Sequence, residues 1–493
     1  MTRALSLLVS VSLIAASAAA QTATEDDRSK PAPRGTAPAP AALTAVRDSL
    51  TNGLALALVE SHRLPLVAVT LVIPQAGADP IGKEGLADFV AAMMQEGVPG
   101  LPDAAALADA IDDLGAKISV SATQSGMTIA VVALKEHINK ALDLVSRMVR
   151  EPNSLRADDA ASANALERLR QQALAGLRME TPKTLASKRL SSDLFGVGPH
   201  GRFPTEASLA SITPVEVAAR HRASMVPNGS VLAVAGDVTL AELKTLAENN
   251  FGAWTSAGLP AAPAVPTLSP SASPSEGTTH TDLEIIVIDV PGDQAVMMLG
   301  MKVLERRHPD YDALALAIGV LGGPMIGRLD QNLRETHNWA YGARASLSAF
   351  ADAGAVTMQT KVQVNRTGDA LREILGEVAR LGAELVPDPE LGAAKNLLKG
   401  AHLRNTRTVE SLAARLASIE TLGLPPNTLG DYALHMDALS AQQVQAAARS
   451  WLGRGRVRVV VAGPADVVVP QLQGQGVVRV FDTEGRAKSL GEG

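Results

Sequence analysis

Cysteine is absent from all 493 positions. Disulfides, thiolate zinc sites and cysteine nucleophiles are excluded, and no thiol responds to the redox poise outside. Aromatic side chains are scarce at 2%, so the core must be built from Ala, Leu and Val, and stacking platforms for bases or sugars are disfavoured. Basic charge is not in excess: a formal net charge of -6 with interspersed signs gives no positive face for nucleic acid. The nine histidines (His62, His137, His200, His221, His280, His308, His337, His402 and His435) never fall one helical turn apart. That turn is the spacing that puts two imidazoles on one helix face, so only pairing between distant histidines stays open. No apolar run reaches the ~20 residues of a bilayer-spanning helix.

What is present begins with Arg3, an apolar stretch from Ala4 to Ala15, and the small residues Ala18-Ala19-Ala20. This pattern reads as a signal peptide over 1–20, cleaved before Gln21, with export to a periplasmic or otherwise extracellular space. Residues 21–43 lack an apolar period and read as a disordered Ala/Pro-rich lead. A second Pro/Ala/Ser-rich stretch, 258–280, reads as a hinge linker between a first domain at 44–257 and a second at 281–465, followed by a tail at 466–493.

The two domains repeat one order of elements. In the first, apolar runs Leu54–Val59 and Leu66–Ile73 suggest a hairpin. Helical periods follow near Lys83–Gln95 and Asp103–Leu114, then strands at Lys117–Ala122 and Met127–Leu134, and helices at Ile138–Val149, Ala160–Arg178 and Pro214–Ala223. The second has strands at Leu283–Val290 and Ala295–Met301, helices near Tyr311–Leu321 and Ile326–Glu335, strands at Tyr341–Leu347 and Ala355–Val362, and further helices from Gly368, Pro389, Val409 and Ala441. Each domain closes on a strand ending Val-Ala-Gly, which points to an internal duplication. Antiparallel strands grouped apart from long helices give an α+β class.

The stretch Gly85-Leu86-Ala87-Asp88-Phe89-Val90-Ala91-Ala92-Met93-Met94-Gln95-Glu96-Gly97 resembles the zinc-binding helix of insulinase/pitrilysin-type peptidases, Gly-x-Ala-His-Phe-Leu-Glu-His-Met. In those inverted zincins two histidines bind zinc and the glutamate between them activates water. Here Asp88 stands at the first His, Ala91 at the Glu and Ala92 at the second His. Two further segments resemble the family in the same order. They are Pro199-His200-Gly201-Arg202-Phe203-Pro204-Thr205, and Met225 to Ser230 with Val234-Ala235-Gly236-Asp237-Val238. The resemblance covers roughly residues 44–465 and implies two duplicated processing-peptidase-like domains, each a mostly antiparallel sheet packed with helices, forming one half of a clamshell. Relatives also carry a glutamate ligand and a supporting glutamate on a later helix. Alignment on Glu167-Arg168 puts Gly176 and Leu169 at those two positions, and Glu167 itself reads as a solvated surface charge.

The segment Leu321-Gly322-Gly323-Pro324-Met325-Ile326-Gly327-Arg328-Leu329 through Leu333-Arg334-Glu335 to Ala340-Tyr341-Gly342 resembles the family's Gly-Gly-x-x-Ser-x-Leu…Leu-Arg-Glu…Leu-Ala-Tyr-Ser. The resemblance implies that Arg334 and Tyr341 contact substrate carbonyls in an active site completed by another chain. A guanidinium fork and a phenol are donors suited to a developing oxyanion. The plain alternative is a helix-end Arg bonding carbonyls and a Tyr packed within a strand. His337 and Trp339 fall in the connecting turn and read as structural.

Some relatives divide the work between a zinc-bearing chain and a chain with the Arg/Tyr pair, and this sequence fits the second type. The expectation is a subunit with no metal of its own. It would serve a partner with an intact His-x-x-Glu-His, which holds the zinc, and would bind extended peptide as an added strand on an edge. Candidate edges are Lys117–Ala122, which departs from the family's Asn-Ala-x-Thr, and Gly342–Ser348. The competing expectation is a structural or chaperone-like pseudopeptidase with no part in catalysis.

Overall fold

Strand alternation decides the architecture. In the computed structural model, which describes residues 43–155, 160–255, 283–453 and 457–488, the first sheet contains β1 (Val46–Ser49), β2 (Ala55–Glu60), β3 (Leu66–Ile73), β4 (Lys117–Thr123), β5 (Gly126–Leu134) and β6 (Val231–Gly236), in the order β1-β2-β6-β3-β5-β4. The second contains β7 (Leu283–Asp289), β8 (Gln294–Val303), β9 (Ala340–Ala349), β10 (Gly354–Gln363), β11 (Arg458–Gly463), β12 (Gly476–Phe481) and β13 (Ala487–Lys488), in the order β13-β12-β7-β11-β8-β10-β9. The shared core 2-6-3-5-4 recurs as 7-11-8-10-9. The α+β class and the duplication therefore hold at the level of topology.

Helices fill the rest. The first half has α1 (Leu86–Met93), α2 (Ala104–Asp113), α3 (Ile138–Arg150), α4 (Ala160–Arg178), α5 (Pro182–Phe195), α6 (Glu206–Ser211), α7 (Pro214–Ser224) and α8 (Leu240–Phe251). The second has α9 (Tyr311–Gly322), α10 (Thr367–Ala383), α11 (Asp388–Arg404), α12 (Val409–Thr421), α13 (Tyr432–Ala438), α14 (Ala441–Trp451) and α15 (Ala465–Leu472). Starts are set by local chemistry. Thr213 with Glu216, Thr239 with Glu242, and Ser440 with Gln443 form capping boxes, each satisfying orphan N–H groups of the first turn.

Two expectations need correcting. β2 and β3 are not a hairpin: β6 lies between them, parallel to β2 and antiparallel to β3. All six residues of β6 are buried, and such a strand needs a neighbour on both edges and cover on both faces. The segment after 465 is not a tail. It forms α15 and then β12, which pairs in parallel with β7, so the second sheet is completed by its last residues. The leader, the lead up to 42 and the linker at 258–280 lie outside the described residues.

Each sheet uses one face for its own half and lends the other. Along β2, β3 and β6, Leu56, Leu58, Val67, Val69, Leu71, Leu232 and Val234 point into the first half's core. The alternate residues Ala57, Val59, Ala68, Ala233 and Ala235 pack instead on Leu412, Ala413, Leu416 and Ala417 of α12, which belongs to the second half. The exchange is reciprocal. Ala186 and Leu190 of α5, from the first half, pack on Ile286, Ile288, Met298, Val460 and Ala462 of the second sheet. Period-two alternation assigns the faces, and the alanines on the lent face of the first sheet let α12 approach closely. Residues from Leu43 onward accordingly form one compact unit.

Candidate functional site

The helix at the place of the zinc motif is α1. It starts at Gly85, whose φ of 101° is a left-handed conformation that favours glycine. Asp79 caps it, accepting from the N–H groups of Gly85 and Ala87 at 2.8 Å each. Arg202, in the Pro199–Thr205 segment, pairs with Glu84 at 2.8 Å and donates to the Asp79 carbonyl at 2.7 Å. His200 of the same segment stacks on Phe350 at 3.8 Å and reaches Asp352 at 3.1 Å. That family-like segment therefore ties the start of α1 to the turn after β9.

The donors on α1 do not fit zinc. Asp88 is exposed and Ala92 half-buried on one face, while Ala91 is 4% exposed and belongs to the core. Gly176 on α4 is exposed, with nothing within 4 Å of where a Cβ would sit. Leu169 packs partly against the first core. Glu167 is a surface carboxylate bonded to Gln171 at 2.7 Å and Arg170 at 3.0 Å. One carboxylate, two methyl groups and a glycine cannot make a tetrahedral site. Among the described residues, no group of three or more His, Cys, Asp or Glu is disposed to hold a metal ion. The Asp88 carboxyl is pushed up to about 6, first by burial and second by the like charge of Asp79. Its side chain is exposed to solvent.

The second half brings Arg334 and Tyr341 together. Arg334 lies on a π-helical turn, Gln331–Thr336, that continues a short helix at Arg328–Asp330; such turns often mark functional sites. Its guanidinium carbon is 5.6 Å from the centroid of the Tyr341 ring, within cation–π range. Tyr341 sits on a bulge of β9. Thr360 faces Ala343 and Val362 faces Ala340, so Tyr341 and Gly342 together oppose Lys361. With Ala340 and Ala343 both turned inward, the bulge re-aims Tyr341 outward, and it is 90% exposed. A tyrosine packed in its strand is thereby ruled out.

Asp330 is a site residue that sequence reading missed. It is 1% exposed, and its carboxylate accepts from the Ala343 N–H at 3.0 Å and from Arg344 at 2.9 Å, with Arg334 at 3.9 Å. One buried anion thus fixes the bulge and faces both guanidiniums. The signal available in the sequence was the i,i+4 spacing of Asp330 and Arg334. His337 stacks on Trp339 at 4.1 Å, and Asn338 turns the chain with φ 54°, in keeping with a structural turn. Both expected edges are edges: β4 and β9 are the terminal strands of their sheets, and α1 runs beside β4.

A duplicated α+β chain with a helix beside one sheet edge and an Arg/Tyr pair beside the other is a peptidase fold. Residues 56–200 match the family described as Insulinase (Peptidase family M16), and residues 211–398 match Peptidase M16 inactive domain. The chain belongs to this insulinase/pitrilysin-type peptidase family. An uncharacterised zinc protease of Mycobacterium leprae is 25% identical over 360 residues, covering 73% of this chain and 78% of that one. An uncharacterised zinc protease of Bacillus subtilis is 23% identical over 409 residues, covering 82% and 94%. Among solved structures, a peptidase M16 inactive domain from Pseudomonas fluorescens is similar with a TM-score of 0.75 and 26% identity, covering 86% of this chain and 98% of that one. A protease from Helicobacter pylori shares the fold, with a TM-score of 0.76 at 17% identity over 86% and 100% of the two chains.

Proposed function

We propose that this chain is the non-catalytic, peptide-binding subunit of a heterodimeric insulinase-like metallopeptidase. It supplies Arg334 and Tyr341 to a partner chain that holds the zinc through an intact His-x-x-Glu-His. The observation that carries the reading is the contrast between the two sheet edges: α1 presents no usable donor set, while the β9 bulge holds a free phenol beside a guanidinium. Extended peptide or unstructured protein adds as a strand to the β9 edge through backbone hydrogen bonds. The Tyr341 hydroxyl then donates to the oxyanion developing at the scissile carbonyl, and Arg334 holds the neighbouring carbonyl. The pair works in an exported protein, released by cleavage before Gln21.

The test is reconstitution. The purified chain alone does not cleave unstructured peptides, and mixing it with a zinc-bearing relative from the same cell yields activity. In that mixture Tyr341→Phe lowers kcat by roughly 10²-fold while leaving assembly intact, as loss of one oxyanion donor does elsewhere. Unchanged turnover in a normally assembled Tyr341→Phe mixture would hand the case to the structural or chaperone-like alternative.

A further inference from the structure

Next to the middle of β9 lies a pocket of about 370 Å³, in the size range of small-ligand sites, with Ala345, Ser346 and Leu347 forming part of its wall. Its remaining walls come from α9, α11, α12 and α13 and from the loops that carry Arg306, Gly323, Pro324 and Asn405. Three arginines line it: Arg404, which is exposed, and Arg306 and Arg415. Arg306 lies over the Tyr311 ring at 3.8 Å, a contact that orients the fork without neutralising it. The acid that acts on Arg415 is Asp312, and Asp312 is engaged by His435 at 3.2 Å. Neither guanidinium forms an ion pair with a carboxylate among the described residues. Burial first, then repulsion from Arg306, holds Arg415 below its usual value, against a smaller opposing pull from Asp312, as expected where positive charges are gathered in a partly buried site.

The other components are apolar or aromatic. Ile318 and Leu398 line the same space, and His402, stacked on Tyr432 at 4.5 Å, spends its Nε2 on the Leu429 carbonyl at 3.1 Å. Two of the three tyrosines in the chain, Tyr311 and Tyr432, are here, and the third is Tyr341. A ligand that satisfies both parts has an apolar body and an anionic end. Geometry narrows it further. The wall residues of β9 lie four to six positions beyond Tyr341 on the same edge strand, about 14–20 Å at strand rise.

We propose that this pocket receives the C-terminal residue of a peptide laid along β9, its apolar side chain among Ile318 and Leu398 and its free carboxylate between Arg306 and Arg415. The inference rests on the peptide-binding reading above and deepens it. A carboxylate anchor at that distance makes the chain a ruler that prefers free C-termini a few residues from the bond near Tyr341. The guanidinium fork matches a carboxylate in two-point geometry.

Binding is measured with the full chain alone, by fluorescence anisotropy, using an unstructured decapeptide ending in leucine as the free acid and as the amide. The free acid binds tighter by roughly ten-fold or more, the scale of a charge-assisted pair. The double replacement Arg306→Gln with Arg415→Gln abolishes the difference, while Arg306→Lys with Arg415→Lys keeps part of it, each with an unchanged thermal melt. Equal affinity for acid and amide, no binding of either, or a preference that survives the folded glutamine variant would overturn the proposal. Inorganic phosphate competes no better than chloride; displacement of the peptide by phosphate at equal ionic strength would assign the pocket to another anion and sink the idea. The readout is independent of cleavage. A carboxylate preference that persists while Tyr341→Phe leaves reconstituted turnover unchanged removes the catalytic role and keeps the pocket; the reverse result removes the pocket alone.

Discussion

The two halves of this chain are built on one strand order and carry opposite kinds of side chain beside their sheet edges. In the first, the helix beside the edge strand carries Asp88, Ala91 and Ala92; Ala91 is in the core, which leaves one carboxylate and one methyl group on the accessible side. In the second, the segment before the edge strand is a π-helical turn and the strand itself bulges, so Arg334 and Tyr341 stand together in solvent. The difference teaches that the scaffold does not hold the chemistry. A mixed, mostly antiparallel sheet tolerates either content at its edge, because its core is made by alternate residues of the inner strands.

The comparison breaks first if the halves are independent. Leu190 on α5 and Leu416 on α12 are 1% and 0% exposed, each buried in the opposite half's sheet. Leu190→Ala and Leu416→Ala should each cost about 2–5 kcal/mol. In urea both variants should show one cooperative transition at a lower midpoint, since either helix joins both sheets. Two separated transitions, one per half, would refute the reciprocal weld.

The next largest effect concerns the second site. Asp330→Asn keeps an acceptor for the Ala343 N–H but removes the charge facing Arg344 and Arg334, costing about 1–3 kcal/mol. Turnover of the reconstituted pair should fall several-fold, well short of the loss from Tyr341→Phe, with substrate KM little changed. An Asp330→Asn pair that turns over at the wild-type rate would show that the bulge holds its own shape.

Much of this was legible in the chain. The strands and most helices follow from period and capping, and α3 and α12 stand within a residue or two of where apolar spacing puts them. The order of strands was not legible, because adjacent apolar runs read as a hairpin unless a third strand from 160 residues away is placed between them. α5 was invisible for a different reason. It buries only Ala186 and Leu190 fully, a stripe too narrow to announce a helix, and its partner surface is on the other half. At the site, Arg334 and Tyr341 were visible through resemblance, but the bulge that frees Tyr341 and the buried Asp330 were not. Both depend on the register with β10, which no local pattern encodes.

A pH experiment sharpens the contrast inside the first half. His221 on α7 is 5% exposed and its Nε2 finds no partner among the described residues. Burial drops its imidazole to about 4, with Arg222 adding to the drop and the backbone of Val149 and Met148 opposing it. The unfolded chain therefore binds the proton first, and stability falls as pH drops from about 6.5 toward 4. Between pH 7 and pH 5 the loss from this group is about 2 kcal/mol. His221→Leu should flatten that slope in urea titrations at the two pH values, and an unchanged slope would show that the imidazole is protonated in the fold.

Asp88 titrates in the opposite sense, and by less. Its folded value, about 6, lies above the ordinary 3.8, so the folded state is the one that prefers the proton. The group favours folding fully below about 3.8, and that advantage is lost as pH rises through 6. At pH 7.5 the ionised carboxylate is a liability, facing the charge of Asp79. Asp88→Asn removes the liability without removing the side chain's bulk. The variant should be more stable than the parent at pH 7.5 by about 0.5–1 kcal/mol, a figure kept small because solvent reaches and screens the group. The gap should close as the pH falls to about 4. A carboxylate retained for metal binding would behave otherwise: the parent would gain stability from added zinc at pH 7.5 and the variant would not. Thermal melts of both proteins across this range, with and without zinc, decide between a residue left over in an emptied site and one still in use.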